Sequence, residues 1–176
     1  MEIAACAFTG HRPSKLPWKN DENDASCVRL KEMLNSEISR LIDAGTRHFL
    51  TGMALGTDIW CAELVLNFRE TNSKVKLHCI LPCREQPDKW ETEDQLRYMD
   101  VLQQADSIVF VNREFKKNCM LERNRFLVEH SAKLLAVYNG EYRGGTAATV
   151  RYAEKLKREI SIINPRTLQL SRSILG

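Results

Sequence analysis

The sequence lacks most of the features that would commit it to a specialised class. No apolar run approaches the roughly 20 residues that a membrane-crossing helix needs, so no membrane partner is expected. The opening residues, Met-Glu-Ile-Ala-Ala-Cys, have no basic segment leading into an apolar one, and no secretory signal is read there. Charge of one sign is also missing. Lys and Arg total 26 against 23 Asp and Glu, a net charge of +3, and no long basic run appears. A dedicated nucleic-acid binder carries a stronger positive field, so nucleic acid is not the expected partner. The six cysteines (Cys6, Cys27, Cys61, Cys79, Cys83 and Cys119) are scattered, several of them inside expected strands or helices. That pattern fits reduced thiols in a cytoplasmic protein better than a disulfide frame. Repeats, low-complexity stretches and interdomain linkers are absent too.

What remains is ordinary globular composition: 176 residues, 43% hydrophobic and 28% charged. A chain of this size can bury about 70% of its unfolded surface around one core. The expectation is a single domain over residues 1–164, with 165–176 as a short tail.

Apolar runs at Ile3–Phe8, His48–Leu50, Val75–Leu81, Ser107–Val111, Leu134–Tyr138 and Ile160–Ile163 predict six strands. Between them, helical spacing predicts helices over Ser26–Ala44, from the glycine turn to about Glu70, Glu91–Gln104, Met120–Ser131, and from Gly145 to about Arg158. Alternating helices and short, continuously apolar strands define an α/β, Rossmann-like fold: a mainly parallel sheet with helices on both faces. Ligands of such folds bind beyond the carboxyl ends of the strands. Here those ends carry Gly10, His11 and Arg12; Thr51 and Gly52; Cys83 and Arg84; and Asn139 and Gly140.

Two strand-to-helix turns stand out. Phe49-Leu-Thr-Gly-Met-Ala-Leu-Gly-Thr-Asp58 passes Gly52 and Gly56 before a helix that Thr57 or Asp58 can cap. Asn139 to Thr146 ends in Gly144-Gly145-Thr146 at a second helix start. Free N–H groups at a helix start, reached through glycines, suit phosphate. The plain alternative at each is an ordinary tight turn. Asp58 can accept from a ribose hydroxyl or act only as a first-turn acid. Glu63 lies in a mostly apolar helix, where a carboxylate must be paired or carry a raised pKa. Glu63 and Asp58 are the candidates for a general base, with structural pairing as the competing role. Arg12, Arg84 and Arg125 are candidate anion contacts, against solvated arginines. His11 is either a proton donor or a loop-fastening residue. Trp18 and Trp90 are candidates for stacking on a base. His78 and Cys79 point to opposite faces of one strand and cannot readily share a metal. No metal site is expected, and Cys79 reads as core.

Taken in order, Thr9-Gly-His-Arg-Pro13, Thr51-Gly-Met-Ala-Leu-Gly-Thr-Asp58 with Ala62-Glu63, Arg123-Asn-Arg125 with His130-Ser131, Val137-Tyr-Asn-Gly-Glu141 and Gly144-Gly-Thr146 resemble the YpsA-like family of the SLOG superfamily. The resemblance covers about residues 3 to 163. It implies a pocket for nucleotides or nucleotide-derived ligands in a superfamily that spans DNA-binding proteins, phosphoribohydrolases of the LOG type and nucleotide sensors. Two positions depart. LOG enzymes carry Pro-Gly-Gly-x-Gly-Thr-x-x-Glu, whereas Gly144-Gly145-Thr146 continues as Ala147-Ala148-Thr149-Val150 with no glutamate. Met53 stands where related glycine motifs often have a second glycine. The expected function is regulatory binding of a nucleotide or ADP-ribose-like ligand. An N-glycosidase or phosphoribohydrolase is the alternative, and a DprA-like single-strand DNA binder comes third. A homodimer through an apolar helix face is possible, and no protein partner is indicated.

Overall fold

The computed structural model describes residues 4–173, so Ile3 of the expected first strand lies outside the described residues. The strands are β1 (Ala5–Gly10), β2 (His48–Thr51), β3 (Lys76–Leu81), β4 (Ser107–Phe110), β5 (Lys133–Val137), β6 (Glu159–Asn164) and β7 (Gln169–Arg172). They form one sheet in the order β4-β3-β2-β1-β5-β6-β7. Every neighbouring pair is parallel except β6 and β7. The helices are α1 (Ala25–Asp43), α2 (Thr57–Thr71), α3 (Thr92–Gln104), α4 (Cys119–Glu129) and α5 (Gly145–Lys155).

Alternating side chains divide the interior in two. Cys6 and Phe8 of β1, Phe49 of β2 and Leu135 and Val137 of β5 face α1, α2 and α3. Ala5, Ala7, Leu50, Leu134 and Ala136 face α4 and α5. Small residues on β1 toward the second face let α4 and α5 sit close above it. Phe8 stacks on Phe49 with centroids 5.8 Å apart. Asp24 caps α1, its Oδ1 accepting from Ser26 N at 2.8 Å and Cys27 N at 3.4 Å, a cap worth about 1 kcal/mol.

Two elements and two tryptophans differ from the sequence reading. The expected tail contains β7, which pairs with β6 as an edge strand. Arg172 fastens it by donating Nη2 to Glu37 Oε2 at 2.7 Å, and Glu37 on α1 is only 2% exposed. Helix α5 stops at Lys155 rather than near Arg158, because Lys157 turns to φ +55° and Arg158 N closes on Ala153 O. Trp18 is not an edge ring free to stack: it is 7% exposed and packs in the α1/α2 core. Trp90 is also partly buried there, edge-on to Tyr98 at 5.3 Å.

Successive strands proceed outward from β1 to β4 on one side, while β5 and β6 lie on the other. The order therefore reverses between β1 and β5. The strands stay paired to Gly10 and Val137, and the chain leaves their carboxyl ends toward opposite faces of the sheet, which leaves the crevice that such a reversal creates.

Candidate functional site

A cleft of about 230 Å³ opens at that crevice. The end of β1 supplies Gly10, His11 and Arg12; the start of α5 supplies Gly144, Gly145 and Thr146; and Met120, Arg123 and Asn124 of α4 close the side. From the first glycine turn, Ala54 and Asp58 reach the floor. Gly144 is the N-cap of α5, with φ +107° and no side-chain cap. A side chain there would be strained in this backbone region, and its Cβ would lie 2.9 Å from Lys15 Nζ. The first-turn N–H groups of α5 thus meet the cleft without a capping oxygen of their own, beside the Lys15 ammonium.

The other glycine turn is used differently. Gly52 backs onto Arg123, where a Cβ would lie 2.3 Å from Nη1. Gly56 lies beneath Pro13, and Thr57 Oγ1 donates to His11 O at 3.4 Å. Gly52, Gly56 and Thr57 consequently sit behind the cleft wall rather than on its surface. Met53 adopts φ +58° and is fully buried, which accounts for the advantage of glycine at that place in related motifs.

Arg123 is the residue that sequence reasoning left without a role. It is 3% exposed on α4. Nη1 donates to Gly52 O and, at 3.5 Å, to Gln86 Oε1; Nε donates to Asn124 Oδ1 at 2.8 Å. On Nη2 the contact is the Met120 sulfur, 3.7 Å away. Burial pulls its pKa below the usual guanidinium value, partly countered by Asp58. Arginine still remains protonated at neutral pH. A signal for it was present: Cys119, Arg123 and Leu127 form an i, i+4 stripe of buried positions on α4. A cation within an apolar stripe marks a paired or functional charge.

Asp58 is 6% exposed, with Oδ2 accepting from Ala54 N at 3.1 Å. Burial raises its pKa, and Arg123, the Ala54 N–H and Arg12 oppose the rise. Its carboxylate fixes the turn and also faces the cleft. His11 fastens the walls together: Asn139 N donates to its Nε2 at 3.1 Å, and His11 N donates to Val137 O at 3.1 Å. Burial lowers its pKa, so the ring is neutral with Nε2 as acceptor. The hydrogen bond makes His11 a loop fastener and denies Nε2 the proton a donor would need.

The remaining candidates lie elsewhere. Glu63 is bound by Arg97, whose Nη2 donates to Oε1 at 2.6 Å, and the same guanidinium donates to Glu22 Oε2 at 2.7 Å. Glu63 is therefore paired and remote from the cleft. Arg84 is exposed and lies over Phe110 at 5.5 Å. Arg125 is over Tyr152 at 5.9 Å, on the outer side of α4. In the LOG pattern the glutamate follows Gly-Thr by three positions, which here is Thr149. That side chain is 2% exposed and donates Oγ1 to Gly145 O at 2.8 Å, so no carboxylate occupies the place.

His78 bonds to His48 at 2.9 Å and to Ser107 at 2.6 Å, while Cys79 is in the core on the opposite face. Among the described residues, no group of three or more His, Cys, Asp and Glu is placed to hold a metal ion. The six thiols are free and buried, and burial pushes Cys6 and Cys79 up to about 12. Neither of these two is poised as a thiolate at neutral pH. Among the described residues, no helix is long and apolar enough to cross a membrane.

The fold and cleft define a Rossmann-like α/β domain with its crevice at the β1/β5 reversal. The chain belongs to the YspA SLOG family, whose model matches residues 6–168. A UPF0398 protein of Bacillus pumilus is 31% identical over 151 residues, covering 84% of this chain and 80% of that protein. Among solved structures, DNA processing protein A from Helicobacter pylori, described for its single-stranded DNA binding mode, superposes with a TM-score of 0.60 at 18% identity over 92% of this chain. The Streptococcus pneumoniae protein DprA superposes with a TM-score of 0.59 at 13% identity over 99% of this chain. This chain spans 65% and 52% of those two proteins' lengths. At such identities the likeness concerns the fold.

Proposed function

We propose that this protein binds a nucleotide or a nucleotide-derived, ADP-ribose-like molecule in the β1/β5 cleft and acts as a regulatory binding module. One observation carries the reading: the uncapped start of α5 and the buried Arg123 guanidinium open on the same cleft. Amide dipoles and a desolvated arginine together suit a phosphate. Arg12 and Lys15 at the rim add positive charge, although Lys15 also pairs with Glu141 at 3.3 Å. The cleft offers little for bond cleavage, since Glu63 is paired to Arg97 and Thr149 stands in the LOG glutamate's place.

A second reading rests on Asp58. It is a carboxylate of raised pKa beside the expected phosphate site, and an N-glycosidase would use such a group to handle a proton at the departing base or the attacking water. Incubation with AMP, NAD and ADP-ribose, followed by chromatography for released base or ribose phosphate, separates the two. Calorimetric binding of at least one compound with no product formed is the outcome expected of a regulatory module. Release that disappears in Asp58→Asn would replace that reading with the enzymatic one. Failure of all three to bind would end both.

A further inference from the structure

We infer that the groove between α4 and α5 is a second anion subsite, continuous with the cleft, so that the ligand carries a second phosphate-bearing unit beyond its first nucleotide. This rests on the nucleotide reading of the cleft and extends it. Arg125 of α4 and Arg151 and Lys155 of α5 line the groove, which encloses about 250 Å³ and contains no carboxylate in its wall. In a chain of nearly balanced charge, three cations together without an acid are unusual. Among the described residues none of the three forms an ion pair. Two neighbouring acids on α4 are already engaged, Glu122 accepting from Asn112 and pairing with Lys116, and Glu129 accepting from the Tyr152 hydroxyl, while Glu154 of α5 lines the cavity on the other side of Arg151 rather than this groove.

Both arginines are held in place rather than left free. Arg125 lies over Tyr152, and Arg151 lies 4.9 Å over Tyr142 while donating Nη1 to Tyr142 O at 2.6 Å. Ordering them in advance lowers the entropy lost when an anion arrives. Asn124 belongs to both spaces. Its Oδ1 accepts from Arg123 at the cleft, and it also lines the groove. Size points the same way. The cleft alone is smaller than the roughly 300–1,000 Å³ usual for small-molecule sites, and cleft and groove together reach that range. The shared chemistry is a nucleotide extended by a second phosphate, joined through a phosphodiester or a pyrophosphate.

The test is calorimetric titration of the full chain with AMP, with the phosphodiester dinucleotide pApA, and with the pyrophosphate-linked ADP-ribose, at about 150 mM salt. The same three titrations are made with Arg151→Gln/Lys155→Gln, whose altered side chains are exposed and whose folding is checked by circular dichroism. Wild type is expected to bind pApA or ADP-ribose about ten-fold more tightly than AMP, equivalent to about 1.4 kcal/mol. Whichever compound gains identifies the linkage. The double variant is expected to lose that gain and keep its AMP affinity. Equal affinities for all three in wild type, or equal weakening of all three in the variant, would overturn the subsite and leave the cleft intact. No binding by any of the three would overturn the cleft reading as well.

Discussion

Replacing Gly52 by Ala tests how the floor of the cleft is built. The added Cβ would lie 2.3 Å from Arg123 Nη1 and 2.5 Å from its Cζ. Gly52 is not among the positive-φ glycines, so the cost comes from collision rather than backbone strain. At 3% exposure Arg123 can yield only by leaving its hydrogen bonds to Gly52 O and Gln86. Overpacking costs about 1–3 kcal/mol, and each charge-assisted bond lost adds about 1.5–3 kcal/mol. With both bonds lost the expected loss is roughly 4–9 kcal/mol, a large part of the ~5–15 kcal/mol that holds a domain. In a chain of this size each kcal/mol lowers Tm by about 2–4 °C, so calorimetry should show a fall of about 10 °C or more. Gly140→Ala is the control. Its φ is +89° with nothing within 4 Å of the added carbon, so strain alone, about 1–2 kcal/mol, gives a drop of a few degrees. In an Arg123→Ala background the collision partner is gone, and Gly52→Ala should then cost little. If Gly52→Ala loses as much stability in that background as in wild type, Gly52 does not serve to seat Arg123.

Other perturbations separate scaffold from site. Burial holds His11 and His78 below their usual 6.5. The unfolded chain therefore takes up protons that the native one refuses, and stability, complete above about pH 6.5, falls as pH drops through that value. Urea midpoints between pH 5 and 7.5 should show the slope, and His78→Gln should reduce it. Burial alone would raise the Glu37 carboxyl, but hydrogen bonds from Arg172, Arg40 and Ser161 outweigh it and hold it at about 2. Arg172→Ala should cost about 1–2 kcal/mol and speed amide exchange in β7 with little change in β1 and β5; equal exchange throughout would show that β7 is not fastened there. Glu63→Gln removes one partner of a half-exposed pair and should change ligand binding less than two-fold in titration; a ten-fold loss, about 1.4 kcal/mol, would place Glu63 in the site after all.

Much of the fold was legible because parallel strands buried on both faces read as continuous apolar runs separated by helical spacing. β7 was not: all four residues of Gln-Leu-Ser-Arg172 are exposed, and it is held at the sheet edge by pairing with β6 and by Arg172 reaching Glu37 on α1. A contact 135 residues away in the chain leaves no local mark. The α5 glycines were readable as a turn opening on the ligand crevice from their position between strand and helix, and they do line the β1/β5 cleft. Gly52 and Gly56 carry the same local pattern and serve to admit Arg123 and Pro13 instead, because spacing shows where a backbone can be approached and not what approaches it. Arg123 falls between these cases, since its place in a buried stripe is visible on the helix but its alignment with Gly52 exists only once β2 and α4 meet.

The central claim is that the start of α5 holds a phosphate, and Gly145→Asp tests it most directly. The position has no positive φ, and its Cβ would make only an ordinary 3.7 Å contact with Asn124 Nδ2. A carboxylate in the first helical turn is favourable by about 0.3–1 kcal/mol, yet it would place a fixed negative charge against an incoming phosphate. At 100 times its dissociation constant, a nucleotide ligand stabilises wild type by about 2.7 kcal/mol. Titration followed by thermal denaturation should show that increment in wild type and none in Gly145→Asp, whose ligand-free Tm is equal or higher. A variant that keeps the full increment would contradict the account.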